Sequence, residues 1–444
     1  MKNTLPRVLV SSVDVWNTTS GSDTFTNLLS GYDPEKIANI YIRSGKPTSE
    51  VCNKYFYISE NAVIKSIFNR NMKTGMCVKR ETEMDVDSSI EAEQQKEKKR
   101  YAFFTKHRLW IFLFAREILW KIGHWKSTEL EKFIRDYNPE VLFFPIESYI
   151  HFNRINEYLV KKLGIPAVGI IWDDNFSYKV NCKNLGFLLH RYFLRKSVKR
   201  NISYCKKVFA ISPKMQKECR EVFGIEAELL TKGAKIEKSK ILYCEKAELP
   251  LKIVYTGKLN LGRIDTVELL ANVLGEINKE QIQIELDIYS GTVLHEKEKN
   301  RLNKPGVEFR GHVTQDKIAN IQEGADILLM VEALEGQHKY AARLSFSTKI
   351  VDYLAKGKCI MAVGPKDIAS MEYLEEIDAA LIATSKQELY DVMIEILNNL
   401  DVLSEYRKKA FELVLSNHDL EKIQLCLYSS FLEQRGNKDE FITN

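Results

Sequence analysis

The sequence predicts an α/β protein of two doubly wound domains facing across a cleft, and three observations carry that prediction. Its 444 residues are about three times a typical domain, enough for two or three folding units. Short apolar runs rich in Val, Ile and Phe alternate with amphipathic stretches, as expected of parallel strands joined by helices. The runs form two similar series, parted by EKAELP (245–250), a charged stretch ending in proline that suits a linker. The domains are therefore placed at 1–245 and 246–420, with a C-terminal helix and tail at 421–444. Ligands of such sheets bind beyond the carboxyl ends of the strands, so two facing sheets make one cleft.

The first series of predicted strands is 7–12, 37–42, 55–58, 141–146, 167–172 and 207–211. The second is 252–256, 282–290, 307–311, 326–331, 359–363 and 380–384. A nearly apolar-free stretch, about 80–100, interrupts the first series and reads as a charged insertion. From about 385 to 433 the pattern is helical, with Leu389, Val392, Met393, Ile396 and Leu397 at core spacing. The final GNKDEFITN is polar and reads as a frayed tail.

Composition excludes several classes. With 45% hydrophobic and 28% charged residues, the chain is neither disordered nor fibrous. Eight cysteines without a C-x-x-C pair argue against a zinc or redox motif and suit reduced thiols in a cytosolic protein. No run resembles a signal peptide, and LWIFLFA (109–115) is too short to span a bilayer. The formal charge of +5 hides an asymmetry. Residues 1–250 hold 42 Lys and Arg against 29 Asp and Glu, whereas 251–444 hold 23 against 31. A basic front half points to an anionic partner for that half alone.

Two stretches of the second half carry chemistry. YTGKLNLGR (255–263) ends a strand on Gly257 and opens a helix, with Lys258 and Arg263 at the domain edge. Glycine lets a ligand approach the backbone, and a helix N-terminus beside two cations favours an anion such as diphosphate. The plainer alternative is two solvated cations on a tight turn. SFSTKIVDYLAKGKCIMAVGP (345–365) places Ser347 and Thr348 at N-cap positions and Lys349 and Asp352 on one helical face. Such a lysine can hold phosphates, and a carboxylate one turn on can accept from ribose hydroxyls; an ordinary surface ion pair is the other reading.

Together these stretches resemble the nucleotide-binding half of GT-B glycosyltransferases, specifically the retaining family-four group of bacterial surface polysaccharide type, which have two Rossmann-like domains. The resemblance implies that Lys258 and Arg263 hold the donor diphosphate, that Ser347, Thr348 and Lys349 lie at the phosphates, and that Asp352, at the end of the family's E-x7-E motif, contacts the donor ribose. It also implies that the YSG turn (289–291) and RGHV (310–313) bring Gly291 and the backbone of His312 and Val313 to the nucleobase. The first Glu of E-x7-E is missing, because Leu344 stands there; Glu335 lies in the looser EALEGQHKYAAR segment. In the first half, Gly21 falls where the family keeps a glycine-rich loop. VGIIWDDNFSY (168–178) resembles the family's acceptor-side strand, with Asp173 and Asp174 at its polar end. Asp173 can orient or deprotonate an acceptor hydroxyl, although paired Asp residues also serve as ordinary turn formers. Asp85-Val86-Asp87 formally matches the metal-binding D-x-D of another glycosyltransferase class, but without the preceding buried strand, so no metal is predicted.

The basic excess concentrates in 178–220, where Leu188, Tyr192 and Phe193 interleave with Lys and Arg as in a basic amphipathic helix. The aromatic stretch 103–125 reads equally well as core packing. The expected partners are a nucleotide-sugar donor, a lipid-linked or growing glycan acceptor and an anionic membrane surface met through 178–220, with no nucleic acid and no cofactor beyond the donor. The expected place is the cytoplasm, peripheral on the inner face of the cell membrane. The resemblance implies a metal-independent, retaining glycosyltransferase with Asp173, Lys258 and Arg263 at its catalytic centre, the leaving phosphate taking the acceptor proton. A catalytically silent GT-B subunit and a sugar-nucleotide epimerase are the alternatives.

Overall fold

The computed structural model describes residues 5–17, 24–80, 110–179, 184–236 and 247–436. The first sheet contains β1 (Val8–Ser12), β2 (Ile37–Tyr41), β3 (Lys54–Ile58), β4 (Gly75–Lys79), β5 (Val141–Pro145), β6 (Ala167–Ile171), β7 (Lys207–Ala210) and β8 (Glu228–Leu229). Its order is β4-β3-β2-β1-β5-β6-β7-β8, parallel except for β4, which runs antiparallel to β3. The second sheet contains β9 (Leu251–Thr256), β10 (Ile284–Tyr289), β11 (Val307–Gly311), β12 (Ile327–Val331), β13 (Cys359–Val363) and β14 (Leu381–Ala383), in the order β11-β10-β9-β12-β13-β14. Six strands of each sheet thus follow the doubly wound order, which reverses direction between β1 and β5 and between β9 and β12.

Every predicted strand is present. Each is legible because helices cover both faces of a parallel sheet, so alternate residues enter different cores. Leu9, Ile40, Phe56 and Leu142 pack on one face of the first sheet. Val8, Val10, Tyr41 and Phe143 pack on the other. Two further strands, β4 and β8, have no predicted counterpart. Both are edge strands, and Met76, Cys77, Lys79, Glu228 and Leu229 are exposed, so no continuous apolar run marks them.

The C-terminal helices span Lys386–Asn398, Asp401–Asn417 and Leu420–Gly436. Leu389, Met393 and Ile396 are buried against the second sheet. The last helix returns to the first sheet instead, packing Leu427, Tyr428 and Phe431 on Phe25, Leu28 and Phe143. Tyr428 donates to the Leu28 carbonyl at 3.1 Å and Gln424 to the Asn27 carbonyl at 3.0 Å. Among the described residues, no helix is long and apolar enough to cross a membrane.

Candidate active site

The reversal point of the second sheet gathers the loops after β9 and β12, and a cationic cradle stands there. Helix Thr348–Ala355 lays the Lys349 ammonium against Gly257, where any Cβ would collide with it, so the residue just after β9 has to be glycine for this approach. The same ammonium lies 5.1 Å from the centroid of the Tyr255 ring. The Tyr255 hydroxyl donates to the Lys258 carbonyl at 2.7 Å and fixes the turn that presents Lys258. Burial, and then the neighbouring Arg263 charge, pull the Lys349 amine down to about 8. Arg263 opens helix Arg263–Ile277 after two left-handed residues, Leu261 at φ 55° and Gly262 at φ 79°. Its guanidinium is paired with Glu332, 2.8 Å from Oε2, and its Nε reaches the Val331 carbonyl at 3.2 Å.

Neither helix start facing this cradle has a side-chain cap. Gly262 has no side chain, and Ser347 holds the N-cap position without a capping bond; its own N–H donates to Ser370 Oγ at 3.0 Å. The N–H groups of Arg263, Ile264 and Ile350 are taken by the Asn260, Leu259 and Ser347 carbonyls, so the remaining first-turn N–H groups, with Lys258, Arg263 and Lys349, make the candidate anion site. Asp352, one turn beyond Lys349, meets Lys232 Nζ of the first domain at 2.6 Å. Burial raises its carboxyl above the ordinary value, and Lys232 opposes that shift. Gly291 follows β10, and His312 and Val313 follow β11, so their loops flank the cradle. Gly291 and His312 are neighbours, since a Cβ on Gly291 would lie 3.4 Å from His312 Nδ1.

Across the cleft the chemistry changes sign. Asp173, after β6, is an exposed residue that accepts from Ser345 Oγ of the second domain at 2.7 Å, and desolvation raises its carboxyl above the ordinary value. Asp174 points elsewhere. Arg191 reaches it at 2.9 Å and Arg343 at 3.1 Å, and Arg343 also pairs with Glu218 at 3.0 Å, a buried ion network tying the domains together. Glu147 lies just past β5, at the reversal point of the first sheet. Burial, then Asp173, then Asp14 push its carboxyl up to about 7, and its N–H donates to Asn153 Oδ1 at 3.0 Å. A carboxyl that exchanges its proton near neutrality in a cleft can hold or pass the proton of an acceptor hydroxyl.

Of the residues singled out in the sequence, the structure brings Gly257, Lys258, Arg263, Ser347, Thr348, Lys349 and Asp352 together and sets Asp173 on the opposite domain. Gly21 and the Asp85–Asp87 pair lie outside the described residues. Sequence reasoning missed Tyr255, Glu332, Lys232 and Glu147. Glu332 and Glu147 both carry a readable signal, an acidic residue just after a strand beside the reversal point; for Lys232 none exists. Among the described residues, no cluster of His, Cys, Asp and Glu could hold a metal.

No protein-family profile matches the chain, and no curated protein matches it by sequence. Solved structures do. Trehalose 6-phosphate synthase from Burkholderia multivorans superposes with a TM-score of 0.60 at 10% identity, over 99% of each chain. Sucrose-phosphate synthase from Thermosynechococcus elongatus gives 0.58 at 12% identity, over 96% of this chain and 98% of that one. HepE from Anabaena, solved with UDP and glucose, gives 0.59 at 9% identity, over 96% and 100%. The chain therefore has the GT-B fold, two Rossmann-like sheets facing across a cleft.

Proposed function

We propose that this protein is a glycosyltransferase that moves a sugar from a nucleoside-diphosphate sugar to a lipid-linked or growing surface glycan, with retention and without a metal, at the inner face of the cell membrane. The observation carrying this reading is the cradle of Lys258, Arg263, Lys349 and two uncapped helix starts around Gly257. Negative charge grows on the diphosphate as the glycosidic bond breaks, and fixed cations and N–H dipoles in a cleft stabilise that charge without reorganising. Asp352 would accept from the donor ribose once Lys232 moves aside, and Gly291, His312 and Val313 would border the base. Asp173 and Glu147 would position the acceptor hydroxyl opposite, while the leaving phosphate takes its proton.

UDP is the first donor nucleotide to try, because HepE was solved with UDP. A thermal-shift panel of nucleoside diphosphates tests the site, since a ligand that binds only the folded state raises its melting temperature. Turnover with the matching sugar nucleotides then tests the activity. Absence of any stabilising nucleotide removes the proposal.

A second reading, a silent GT-B subunit, draws on Leu344. At the place of the first Glu of E-x7-E, this leucine is fully buried in the core of the first domain and cannot touch a sugar. Nucleotide binding without transfer or donor hydrolysis would favour it.

A further inference from the structure

The surface formed by helices Trp110–Ile122 and Leu185–Tyr204 differs from the rest of the molecule. The two helices pack side by side: the Trp110 indole lies directly on Gly186, and Phe114 meets His190 and Phe193 edge-on at 5.5 and 6.4 Å. Their outer sides are apolar where a soluble surface is usually polar. Ile111, Ile118 and Ile122 are each more than half exposed and lie on one stripe of the first helix. Leu185, Leu189 and Phe193 form the matching stripe of the second, with Leu185 82% exposed. Nine of the nineteen exposed large hydrophobic residues among those described fall on these helices or at the adjacent Tyr178. Contiguous patches of this kind mark a contact surface.

The charge beside the patch selects the partner. Beyond Phe193 the same solvent-facing stripe continues as Lys196, Lys199 and Arg200, all exposed. The second helix contains no acidic residue, and the first contains only Glu117, which is buried against His151. Apolar side chains followed by cations on one face, without exposed acids, match the acyl boundary and anionic headgroups of a bilayer. The second helix also leads to the acceptor side of the cleft. Arg191, on its inner face, donates to the carbonyls of Asp174 and Ser177, so the patch lies just behind the loop that carries Asp173.

We infer that these two helices together form an in-plane docking surface for an anionic lipid bilayer, which delivers a membrane-borne acceptor to the Asp173 side of the cleft. The inference deepens the proposed function in naming both helices, and rests on it only for the identity of what is delivered.

The test is co-sedimentation of the full chain with vesicles of phosphatidylcholine alone and of phosphatidylcholine mixed with phosphatidylglycerol, at rising salt. The chain should sediment with the mixed vesicles and be released by salt. Ile118→Glu with Leu189→Glu should weaken sedimentation more than about tenfold by placing charges in the apolar stripe. Lys196→Glu with Lys199→Glu should do the same at low salt. Melting temperature and nucleoside-diphosphate binding of each variant report whether the fold and the donor site survive. Wild-type chain left in the supernatant, or variants that sediment like wild type, would overturn the inference. So would a wild-type dimer in solution that the Ile118→Glu, Leu189→Glu variant splits without any vesicle binding. Nucleotide binding without vesicle binding defeats this inference and the membrane placement but leaves the transferase reading standing, and vesicle binding without nucleotide binding defeats the transferase reading alone.

Discussion

The two reversal points, one in each sheet, share a topology and differ in the sign of their charge. Beyond β9 and β12 stand Lys258, Lys349 and Arg263, the last paired with Glu332; beyond β5 and β6 stand Glu147 and Asp173, with Asp14 nearby. The strand order decides where a ligand can bind, and the loop residues decide what it is. This local pattern runs against the global one, since the cations of the cradle belong to the net acidic half and the carboxylates to the net basic half. Placed charges at a sheet edge therefore say more about substrate than half-chain totals do.

The comparison breaks most easily on the cationic side. Lys349→Met should lower turnover by about a hundredfold or more, the scale of losing one preorganised charge from a departing group, read from initial rates at saturating donor. Gly257→Ala should cost nearly as much by evicting Lys349, and the two changes combined should cost little more than either alone. Additive losses would mean that Gly257 matters for another reason.

The pH profile sharpens the contrast, because the domains should supply opposite limbs. Lys349 loses its charge as pH rises through about 8, so nucleoside-diphosphate affinity should fall there, and binding near that pH should take up protons measurable by calorimetry in buffers of different ionisation enthalpy. Glu147 becomes a carboxylate as pH rises through about 7, and the rise in turnover across that range should flatten in Glu147→Gln. Linkage gives an independent check. The folded chain keeps this proton up to about 7, whereas an unfolded chain releases it near 4.5, so native Glu147 costs stability as pH rises through that window. The Gln variant should gain in melting temperature relative to wild type over the same window.

The smallest effect concerns the contact between the two regions. Lys232→Met frees Asp352 from its cross-domain partner, and nucleotide affinity should rise by about fivefold or less, the scale of a partly exposed ion pair. A fall in affinity would assign Lys232 a part in holding the donor.

How much of this was legible in the sequence follows from the range of the interactions involved. Burial on both faces writes itself into local composition, so all twelve strands with an apolar run were readable and the exposed edges β4 and β8 were not. Gly257, Lys258 and Arg263 stood out because a strand end, a glycine and cations lie within nine residues. The pairing of Arg263 with Glu332 spans 69 residues and that of Lys232 with Asp352 spans 120, distances over which no local spacing carries information. The same holds for Asp173 and Asp174, adjacent in sequence yet divided in the structure between the open cleft and a buried ion network.

The return of helix Leu420–Gly436 to the first sheet has a mechanical consequence. The polypeptide returns to the first domain near His418, where the Ala234 N–H donates to the His418 carbonyl at 2.7 Å and the Leu420 N–H to the Ala234 carbonyl at 3.1 Å. A return crossing bonded to the last described residues of the first domain restrains the two bodies at that point. Relative motion of the two bodies is therefore expected to pivot at this seam rather than to pull them apart.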